Sequence, residues 1–268
     1  MKRLAWMTDI HLNFLQPPAI EAFLTSLSNT EADAFLIGGD IGEAPNVALY
    51  LNALANRLQR PIYFVLGNHD FYRGSIAGVR ETVRKLCSAI PNLFWLPEAG
   101  VVPLTDGTCL VGHDGWGDGR LGDYFASDVM LMDWGMIKEF GGFDEHPRDR
   151  LAKLNALGDE AAAHFRAVLP EALRRFQHII VLTHVPPFRE ACWHEGKISD
   201  NNWLPHFTCK AAGDVLIEAM ASAPDNRMTV LCGHTHGGGE AHPLANIRVL
   251  TGAARYGQPV VQRVVEVE

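Results

Sequence analysis

Residues 62–70 read Ile-Tyr-Phe-Val-Leu-Gly-Asn-His-Asp, an apolar run that ends in a Gly-Asn-His-Asp quartet. The run from Ile62 to Leu66 predicts a buried strand, because short continuous apolar runs are typical of strands covered on both faces. An asparagine next to a histidine means little alone. The pair gains meaning because similar polar residues follow the other strands predicted in this chain.

Strands and helices alternate in the first quarter of the chain. Residues 2–8 and 34–37 are apolar runs that predict strands, and 17–27 and 47–58 carry apolar residues at a 3.6-residue period that predicts helices. With the strand at 62–66, this rhythm predicts an α/β fold with parallel strands. Ligands of such sheets bind beyond the carboxyl ends of the strands.

Donor side chains stand at the carboxyl ends of five predicted strands. Strands at 178–183 and 227–232 join the three described above. The blocks that follow these strands are Asp9-Ile10-His11, Gly39-Asp40, Gly67-Asn68-His69-Asp70, His184 and Gly233-His234-Thr235-His236. Because carboxyl ends of parallel strands lie at one edge of a sheet, we expect the side chains that follow the first three strands to meet. The hypothesis is that His184 and the block at 233–236 converge on the same site.

The donor types favour a site for metal ions. Carboxylate, imidazole and amide oxygen without thiolate suit Mn, Fe, Zn or related ions and do not resemble a structural zinc site. A carboxylate such as Asp40 can bridge two cations. Two ions about 3.5–4 Å apart can activate water and offset charge on a transferring phosphoryl group, which suits phosphoester hydrolysis.

Together, these ordered blocks resemble the calcineurin-like metallophosphoesterase superfamily, over residues 9–236. The resemblance implies an α/β fold, a four-layer α/β/β/α sandwich with two mixed central sheets flanked by helices. It also implies two divalent or mixed-valence metal ions (Mn, Fe, Zn or similar). Two sets of ligands follow by motif: Asp9, His11 and His236 for one ion, Asn68, His184 and His234 for the other, and Asp40 for both.

The same resemblance implies a role for His69. In the family this position is a general acid, so His69 would protonate the leaving alkoxide while a metal-bridged hydroxide attacks phosphorus from the opposite side. Gly38, Gly39 and Gly67 suit tight turns that bring the backbone close to the ions. Asp70 and Glu43 are two alternatives for the residue that orients the His69 ring.

One departure from the Ser/Thr protein phosphatases bears on the substrate. Those enzymes read Gly-Asp-x-Val-Asp-Arg-Gly around the bridging aspartate, whereas this chain has Glu43 and Ala44 at the positions of the acid and the arginine. A phosphomonoester dianion would lose a bidentate guanidinium partner. The quartet also ends in Asp70, a form that resembles the phosphodiesterase-type branches. We therefore expect a phosphodiesterase, with a phosphomonoesterase or nucleotide pyrophosphohydrolase as alternatives.

Substrate-reading residues are expected in irregular segments and just beyond the metal-binding blocks. The candidates are Arg73, His113, Trp116, Arg120 and Arg255. Arginine pairs with phosphate and tryptophan stacks on bases, so we expect a small phosphorylated substrate, with a nucleotide-like ester as one candidate. In the alternative interpretation, Trp116 fills the core beneath a long loop.

We expect one domain over residues 1–268, because the chain shows no repeat, low-complexity tract or linker. Irregular substrate-facing insertions are expected near 112–149 and 185–208. A short helix is predicted around 129–140, and a longer one over 151–176 with a break near Pro170.

Composition bears on which partners the protein binds and where in the cell it lies. A net charge of −8 conflicts with nucleic-acid binding, which normally uses a basic surface. Five cysteines without CxxC spacing suggest reduced thiols, and no apolar stretch is long enough for a membrane span, so a cytoplasmic location is expected. The sequence leaves the oligomeric state open. A non-catalytic interaction module with a decayed metal site is the competing class, but no ligand of the family pattern is missing here.

Overall fold

The computed structural model describes residues 1–142 and 146–268, so residues 143–145 of the predicted insertion lie outside the described residues. Two mixed β-sheets pack face to face, and helices cover the outer face of each. This arrangement confirms the predicted four-layer sandwich. Across the described ranges, we find no helix with the length and apolar character needed to cross a bilayer.

The first sheet carries the amino-terminal strands and the last strand of the chain. Its strands are β1 (Lys2–Met7), β2 (Ala34–Gly38), β3 (Ile62–Val65), β4 (Leu93–Trp95) and β13 (Arg263–Val267). Their order is β13-β1-β2-β3-β4, with β13 antiparallel to β1 and the other pairs parallel. The last strand of the chain therefore closes one edge of this sheet.

The second sheet has six strands. They are β5 (Val102–Pro103), β6 (Thr108–His113), β7 (His178–Thr183), β10 (Arg227–Cys232), β11 (Gly239–Leu244) and β12 (Ile247–Thr251). The order is β11-β12-β10-β7-β6-β5, antiparallel at both edges and parallel within. A separate hairpin joins β8 (Trp193–His194) and β9 (Lys197–Ile198).

Helices form the two outer layers and parts of the insertions. They are α1 (Pro17–Ser28), α2 (Val47–Leu58), α3 (Ile76–Ala89), α4 (Leu96–Ala99), α5 (Asp133–Met136), α6 (Pro147–Arg175), α7 (Leu204–Phe207) and α8 (Lys210–Ala221). Four 3-10 turns lie at Leu12–Phe14, Asn68–Phe71, Lys138–Phe140 and Arg189–Ala191. Helices α1, α2 and α3 pack on the first sheet, and α6 and α8 pack on the second.

Alternating side chains of each inner strand enter different layers of the core. In β1, Leu4 and Trp6 join the apolar layer between the sheets, whereas Ala5 and Met7 pack against the helices. This follows from the period of two along a strand, because successive side chains point to opposite faces. Burial on both faces explains why these strands are continuous apolar runs.

Two local predictions need correction. Helix α6 runs through Pro170 without a break, because its packing along α8 and the second sheet outweighs one lost backbone hydrogen bond. The short helix predicted around 129–140 is limited to the four-residue α5 and a 3-10 turn. Strand β11 lies in a stretch for which the sequence predicted no element, and its Pro243 is tolerated because β11 is an edge strand with an irregular register there.

Candidate metal centre

Four of the predicted ligands form one cluster at the carboxyl ends of β1, β2 and β10. Ligand atoms of Asp9, His11, Asp40 and His236 all lie within 4.8 Å of one another. His11 Nε2 is 3.2 Å from His236 Nε2 and 3.6 Å from Asp40 Oδ2, and His236 Nε2 is 3.4 Å from Asp9 Oδ1. The cluster thus places two imidazoles and two carboxylates around one point, a donor set that fits a transition-metal ion.

A second cluster lies on the other side of Asp40. Asn68 Oδ1 is 3.0 Å from His234 Nδ1 and 3.2 Å from His184 Nε2. The two imidazole nitrogens are 3.2 Å apart, and Asp40 Oδ1 is 3.5 Å from His184 Nε2. The two oxygens of Asp40 therefore face different clusters, as a bridging carboxylate would. All seven predicted ligands are brought together.

His184 and His234 each have one ring nitrogen that is free to bind a metal ion within the second cluster. His184 Nδ1 donates to the Gly38 carbonyl at 2.8 Å, and His234 Nε2 donates to the His206 carbonyl at 3.1 Å. In each ring the other nitrogen is then the acceptor form, which is the form that binds a metal. Backbone carbonyls thus orient the two rings.

The protonation of the buried groups also fits cations at this centre. Burial lowers the pKa of His11 to about 2 and that of His234 to about 3, so both rings are neutral at pH 7 and available as ligands. Burial and the nearby carboxylates of Asp9 and Asp70 raise the pKa of Asp40 well above its usual range. Positive ions between these groups would offset the cost of charging Asp40.

Backbone strain is concentrated at the predicted ligands. Five of the seven have positive φ: Asp9, His11, Asp40, His234 and His236. Non-glycine residues rarely adopt this conformation, and such strain gathers at functional sites because the surrounding structure must hold it. In the described residues only three other non-glycine positions share it.

Two glycines make room for the ligands. A Cβ on Gly67 would lie 2.1 Å from Asp40 Oδ1, and a Cβ on Gly233 would lie 2.0 Å from Asp9 Oδ2. Neither carboxylate could keep its position beside a side chain. The glycines that flank Asn68 and His234 in sequence are therefore required by the geometry of the centre.

Asp133 and Tyr72 orient the amide of Asn68. Asn68 Nδ2 donates to Asp133 Oδ1 at 2.8 Å, and the Tyr72 hydroxyl donates to the same oxygen at 2.7 Å. Because the amide nitrogen is held by Asp133, the amide oxygen faces His184 and His234. Neither residue was identified from the sequence. Asp133 lies in the short helix predicted around 129–140, where nothing linked it to the quartet, and Tyr72 was visible only as a residue two positions after the quartet.

His69 lies at the edge of the centre and is the least buried part of the quartet. Its side chain is 17% exposed, and its Nε2 is 4.0 Å from Asp40 Oδ2. The ring stacks on Tyr72 with centroids 4.3 Å apart and meets His11 edge-on at 4.8 Å. His69 N also donates to Asp40 Oδ1 at 2.9 Å. A ring so placed can reach solvent and a substrate bound at the centre.

The two candidates for orienting His69 have other contacts. Asp70 Oδ1 accepts from the backbone of Ile41 and Gly42, and Asp70 Oδ2 accepts from Gly67 N. Asp70 thus joins the loops that follow β2 and β3. Glu43 forms an ion pair with Arg73 at 3.0 Å. The ring contacts of His69 come from Tyr72 and His11 instead.

The predicted substrate-binding residues lie in different surroundings. Arg73 is exposed beside Glu43, and Arg255 is exposed in the turn after β12. His113 is buried at the end of β6, with its ring against Phe165.

Trp116 and Arg120 also have internal contacts. Trp116 is 4% exposed and packs on Phe71 and Phe140, as in the alternative interpretation. Arg120 is tied to Asp118 at 3.1 Å and Asp159 at 2.8 Å.

The two insertions bond to each other and close one side of the centre. Asp118 N donates to the Thr208 carbonyl at 3.0 Å, and Ser127 Oγ is 3.0 Å from His206 Nε2. A small cavity of about 10 Å³ beneath them is lined by the ligands Asn68 and His234 together with insertion residues. A larger groove of about 510 Å³ lies at the amino ends of β7, β10 and β12, far from the ligands, and has no role in the centre.

One further residue beside the centre escaped the sequence analysis. Tyr256, in the turn after β12, has its ring 4.6 Å from that of His11 and 5.0 Å from that of His236. It lies twenty residues after His236, in a segment that shows no motif. Only its position next to Gly257 could have drawn notice.

Comparison with known proteins agrees with this geometry. A family model described as calcineurin-like phosphoesterase matches residues 2–238. Among curated proteins, none matches the chain significantly in sequence.

Several solved structures share the fold. The phosphopantetheinyl hydrolase of Mycobacterium tuberculosis has a TM-score of 0.67 at 17% identity, over 94% of this chain and 89% of that one. A dimetal phosphatase from Danio rerio has a TM-score of 0.58 at 12% identity, over 96% and 89%. TT1561 of Thermus thermophilus has a TM-score of 0.54 at 14% identity, over 94% and 89%. At these identities the likeness concerns the fold.

Proposed function

This chain belongs to the calcineurin-like phosphoesterase family, and from that premise we propose that it cleaves phosphodiesters at a centre for two metal ions. Metal-dependent hydrolysis of a phosphoester follows from the family. The observation that carries the two-ion proposal is the Asp40 carboxylate, which directs one oxygen to each of the two ligand clusters.

The ligand assignment follows the two clusters. Asp9, His11 and His236 would hold one ion, Asn68, His184 and His234 the other, and Asp40 both. Bound as a pair, divalent ions lower the pKa of water and offset charge on the phosphoryl group. Manganese, iron and zinc all suit this mixture of imidazole, carboxylate and amide oxygen.

The role proposed for His69 rests on its position at the solvent-facing edge. Its side chain is partly exposed, is stacked on Tyr72, and lies close to both clusters through Asp40. From there its imidazole can deliver a proton to the oxygen of the departing alcohol. Held by the two ring contacts, the imidazole loses little freedom when substrate binds.

A diester is favoured over a monoester by the charges near the centre. Ala44 occupies the position of the arginine that grips a dianion in the Ser/Thr phosphatases, and its side chain packs against the core. Arg73, four residues beyond His69, is paired with Glu43 at 3.0 Å, so its charge is partly offset. A diester carries one negative charge and needs fewer cationic partners than a monoester dianion.

A reducing compartment such as the cytoplasm is proposed on the state of the thiols. All five cysteines are free, and four of them are buried. Such thiols persist where disulfide formation is not favoured.

The test is hydrolysis of bis(p-nitrophenyl) phosphate by the full chain with added Mn²⁺. Absence of turnover with every divalent metal tried would reject the proposed function. Asn68→Ala and Asp40→Ala should lose bound metal and activity together, because each removes a ligand.

The variant to compare with these two is His69→Ala, which removes the proposed general acid and leaves every proposed ligand in place. It should keep its metal content and lose activity by about 10²–10⁴-fold, the usual contribution of a general acid. Metal content is measured by elemental analysis of the purified protein. Loss of metal in this variant would contradict the role given to His69.

A further inference from the structure

Two aromatic side chains stand exposed beside the metal-ligand clusters. Phe14 is 51% exposed and Tyr256 is 48% exposed. Their ring centroids are 4.6 Å apart, with 37° between the ring planes. The two rings come from loops that are distant in sequence, after β1 and after β12, and together they form an apolar surface open to solvent.

This surface borders the side of the centre that holds His69. The Tyr256 ring lies 4.6 Å from the ring of His11, 5.0 Å from that of His236 and 6.2 Å from that of His69. Phe14 extends the surface outward, with its ring 5.8 Å from that of His11. A group attached to an oxygen beside His69 would therefore meet the aromatic pair.

The loop that carries Tyr256 is held in place before any ligand binds. Gln262 bonds both backbone groups of Ala253, at 3.1 Å and 2.7 Å, and so closes the base of the loop. At the tip, Gln258 N donates to the Arg255 carbonyl at 3.0 Å, and Gly257 has φ +76°. This is the pattern of a type II turn with glycine at its third position. An aromatic ring on so constrained a turn is preorganised for stacking.

We propose that Phe14 and Tyr256 form a subsite for a planar aromatic ring carried by the leaving alcohol of the substrate. The proposal rests on the proposed function, because the phosphoryl group must sit at the clusters and the leaving oxygen beside His69. Exposed apolar patches with a polar border mark ligand-binding surfaces, and the border here is the ligand set itself. Nucleoside and aryl phosphoesters are the substrate class that combines a flat ring with an anionic phosphate.

The experiment compares two non-hydrolysable ligands that differ in whether the ring is flat and aromatic. Benzyl(methyl)phosphinate and (cyclohexylmethyl)(methyl)phosphinate each carry one negative charge, as a diester does, and are similar in size, with carbon in place of both ester oxygens. Each is titrated by calorimetry into the Mn²⁺-loaded full chain. Aromatic stacking predicts that the benzyl ligand binds roughly 5- to 100-fold more tightly. Equal affinities would overturn the subsite.

Variants of Phe14 and Tyr256 test whether these two side chains cause the tighter binding of the aromatic ligand. Tyr256→Ala should remove most of it, Tyr256→Phe should retain it, and Phe14→Leu should reduce it. Leu49→Ala, which truncates an exposed apolar side chain on the outer helix α2, is the matched control and should keep it in full. A preference unchanged in Tyr256→Ala would overturn the proposal, as would its loss in the Leu49→Ala control.

Failure of the subsite and failure of the proposed function have different signatures. Equal binding of the two phosphinates by a chain that hydrolyses bis(p-nitrophenyl) phosphate rejects only the subsite. A ring preference that depends on Tyr256 in a chain without hydrolytic activity supports the subsite and rejects the function. If Tyr256 served only to cover His11, Tyr256→Ala would lower metal content and leave the ratio of the two affinities unchanged, which also overturns the subsite.

Discussion

The carboxylate of Asp133 decides which end of the Asn68 amide faces the ligand clusters. Asp133 is 2% exposed and receives hydrogen bonds from Asn68 Nδ2 and the Tyr72 hydroxyl. A carboxylate only accepts, so it can bond the amide nitrogen and never the amide oxygen. Loss of a group that orients a metal ligand in this way typically lowers metal affinity by about 10- to 100-fold.

Asp133→Ala should therefore weaken metal binding by about 10- to 100-fold, because the Asn68 amide would lose its fixed orientation. The measurement is the dissociation constant for Mn²⁺ of the metal-free protein. Asp128→Ala is a control in the same insertion, since Asp128 is exposed and bonds only within the insertions, to Asn202. Equal affinities in wild type and Asp133→Ala would show that Asn68 needs no such support.

At the scale of secondary-structure elements, Asp118 joins the first insertion to helix α8. Its Oδ2 accepts from Ala211 N at 2.8 Å in the first turn of α8, and it also pairs with Arg120. A carboxylate at a helix amino terminus bonds free N–H groups and faces the positive end of the helix dipole. Arg120 extends this connection to Asp159 on α6.

Asp118→Ala should lower the free energy of unfolding by about 2–4 kcal/mol, because it leaves the Ala211 N–H without its acceptor and removes one of the two carboxylate partners of Arg120. Urea denaturation measures this change. Asp214→Ala, which removes an exposed ion pair with Lys210, should cost less than about 1 kcal/mol.

Arg120→Ala distinguishes its structural contacts from the substrate role predicted from sequence. On the structural account this variant loses stability while KM for bis(p-nitrophenyl) phosphate stays the same. A raised KM with unchanged stability would instead support substrate binding by Arg120.

The first residue of β7 should make stability depend on pH. His178 is 8% exposed, bonds Thr229 Oγ1 at 2.9 Å and is paired in register with Arg227. Burial, reinforced by Arg227, lowers its pKa from 6.5 to about 4. Below pH 6.5 the unfolded chain therefore takes up a proton that the folded chain excludes, so stability is lost as pH falls toward 4.

Replacing His178 by Gln should reduce this loss. Between pH 7 and 4.5, His178→Gln should lose about 1–3 kcal/mol less than wild type, since the shifted group is absent. The measurement is the free energy of unfolding of the metal-free protein at a series of pH values. His242→Gln, at an exposed position lining the same groove, is the control and should follow wild type. Parallel curves for wild type and His178→Gln would contradict the prediction.

At the scale of the whole molecule, the centre connects the two sheets. Asp9, Asp40 and Asn68 follow strands of the first sheet, whereas His184 and His234 follow strands of the second. Ions bound between them would join the two halves of the sandwich. A ligand that binds only the folded state stabilises it by mass action.

Metal should therefore raise the thermal midpoint of the protein. At an ion concentration of about 100 times the dissociation constant, the gain is about 2.7 kcal/mol, or roughly 5–10 °C for a chain of this size. Thermal denaturation with added Mn²⁺ and with a chelator measures the shift. Asp40→Ala should show a much smaller shift. Equal midpoints with and without Mn²⁺ in wild type would contradict a centre that joins the sheets.

The pattern of apolar and polar residues predicted the layers of the fold, because the burial of each residue determines that pattern. Continuous apolar runs such as Ile62 to Leu66 suit strands buried on both faces, and the order of strands and helices then leaves few arrangements. The pattern failed at Pro170, where packing against neighbours outweighed the local preference of the residue, and it gave no signal for the edge strand β11.

The sequence alone predicted the donor set, since the blocks that follow the first three parallel strands gather at one edge and the resemblance to the family joined His184, His234 and His236 to them. Tertiary structure decided everything that depends on distance through space: Asp133 behind Asn68, Trp116 in the core and Tyr256 beside His11. These residues belong to loops or, for Asp133, to the four-residue α5, and the path of such segments is determined by contacts with the rest of the molecule. For that reason the chemistry could be inferred from the sequence, whereas the aromatic surface that we propose for substrate recognition required the fold.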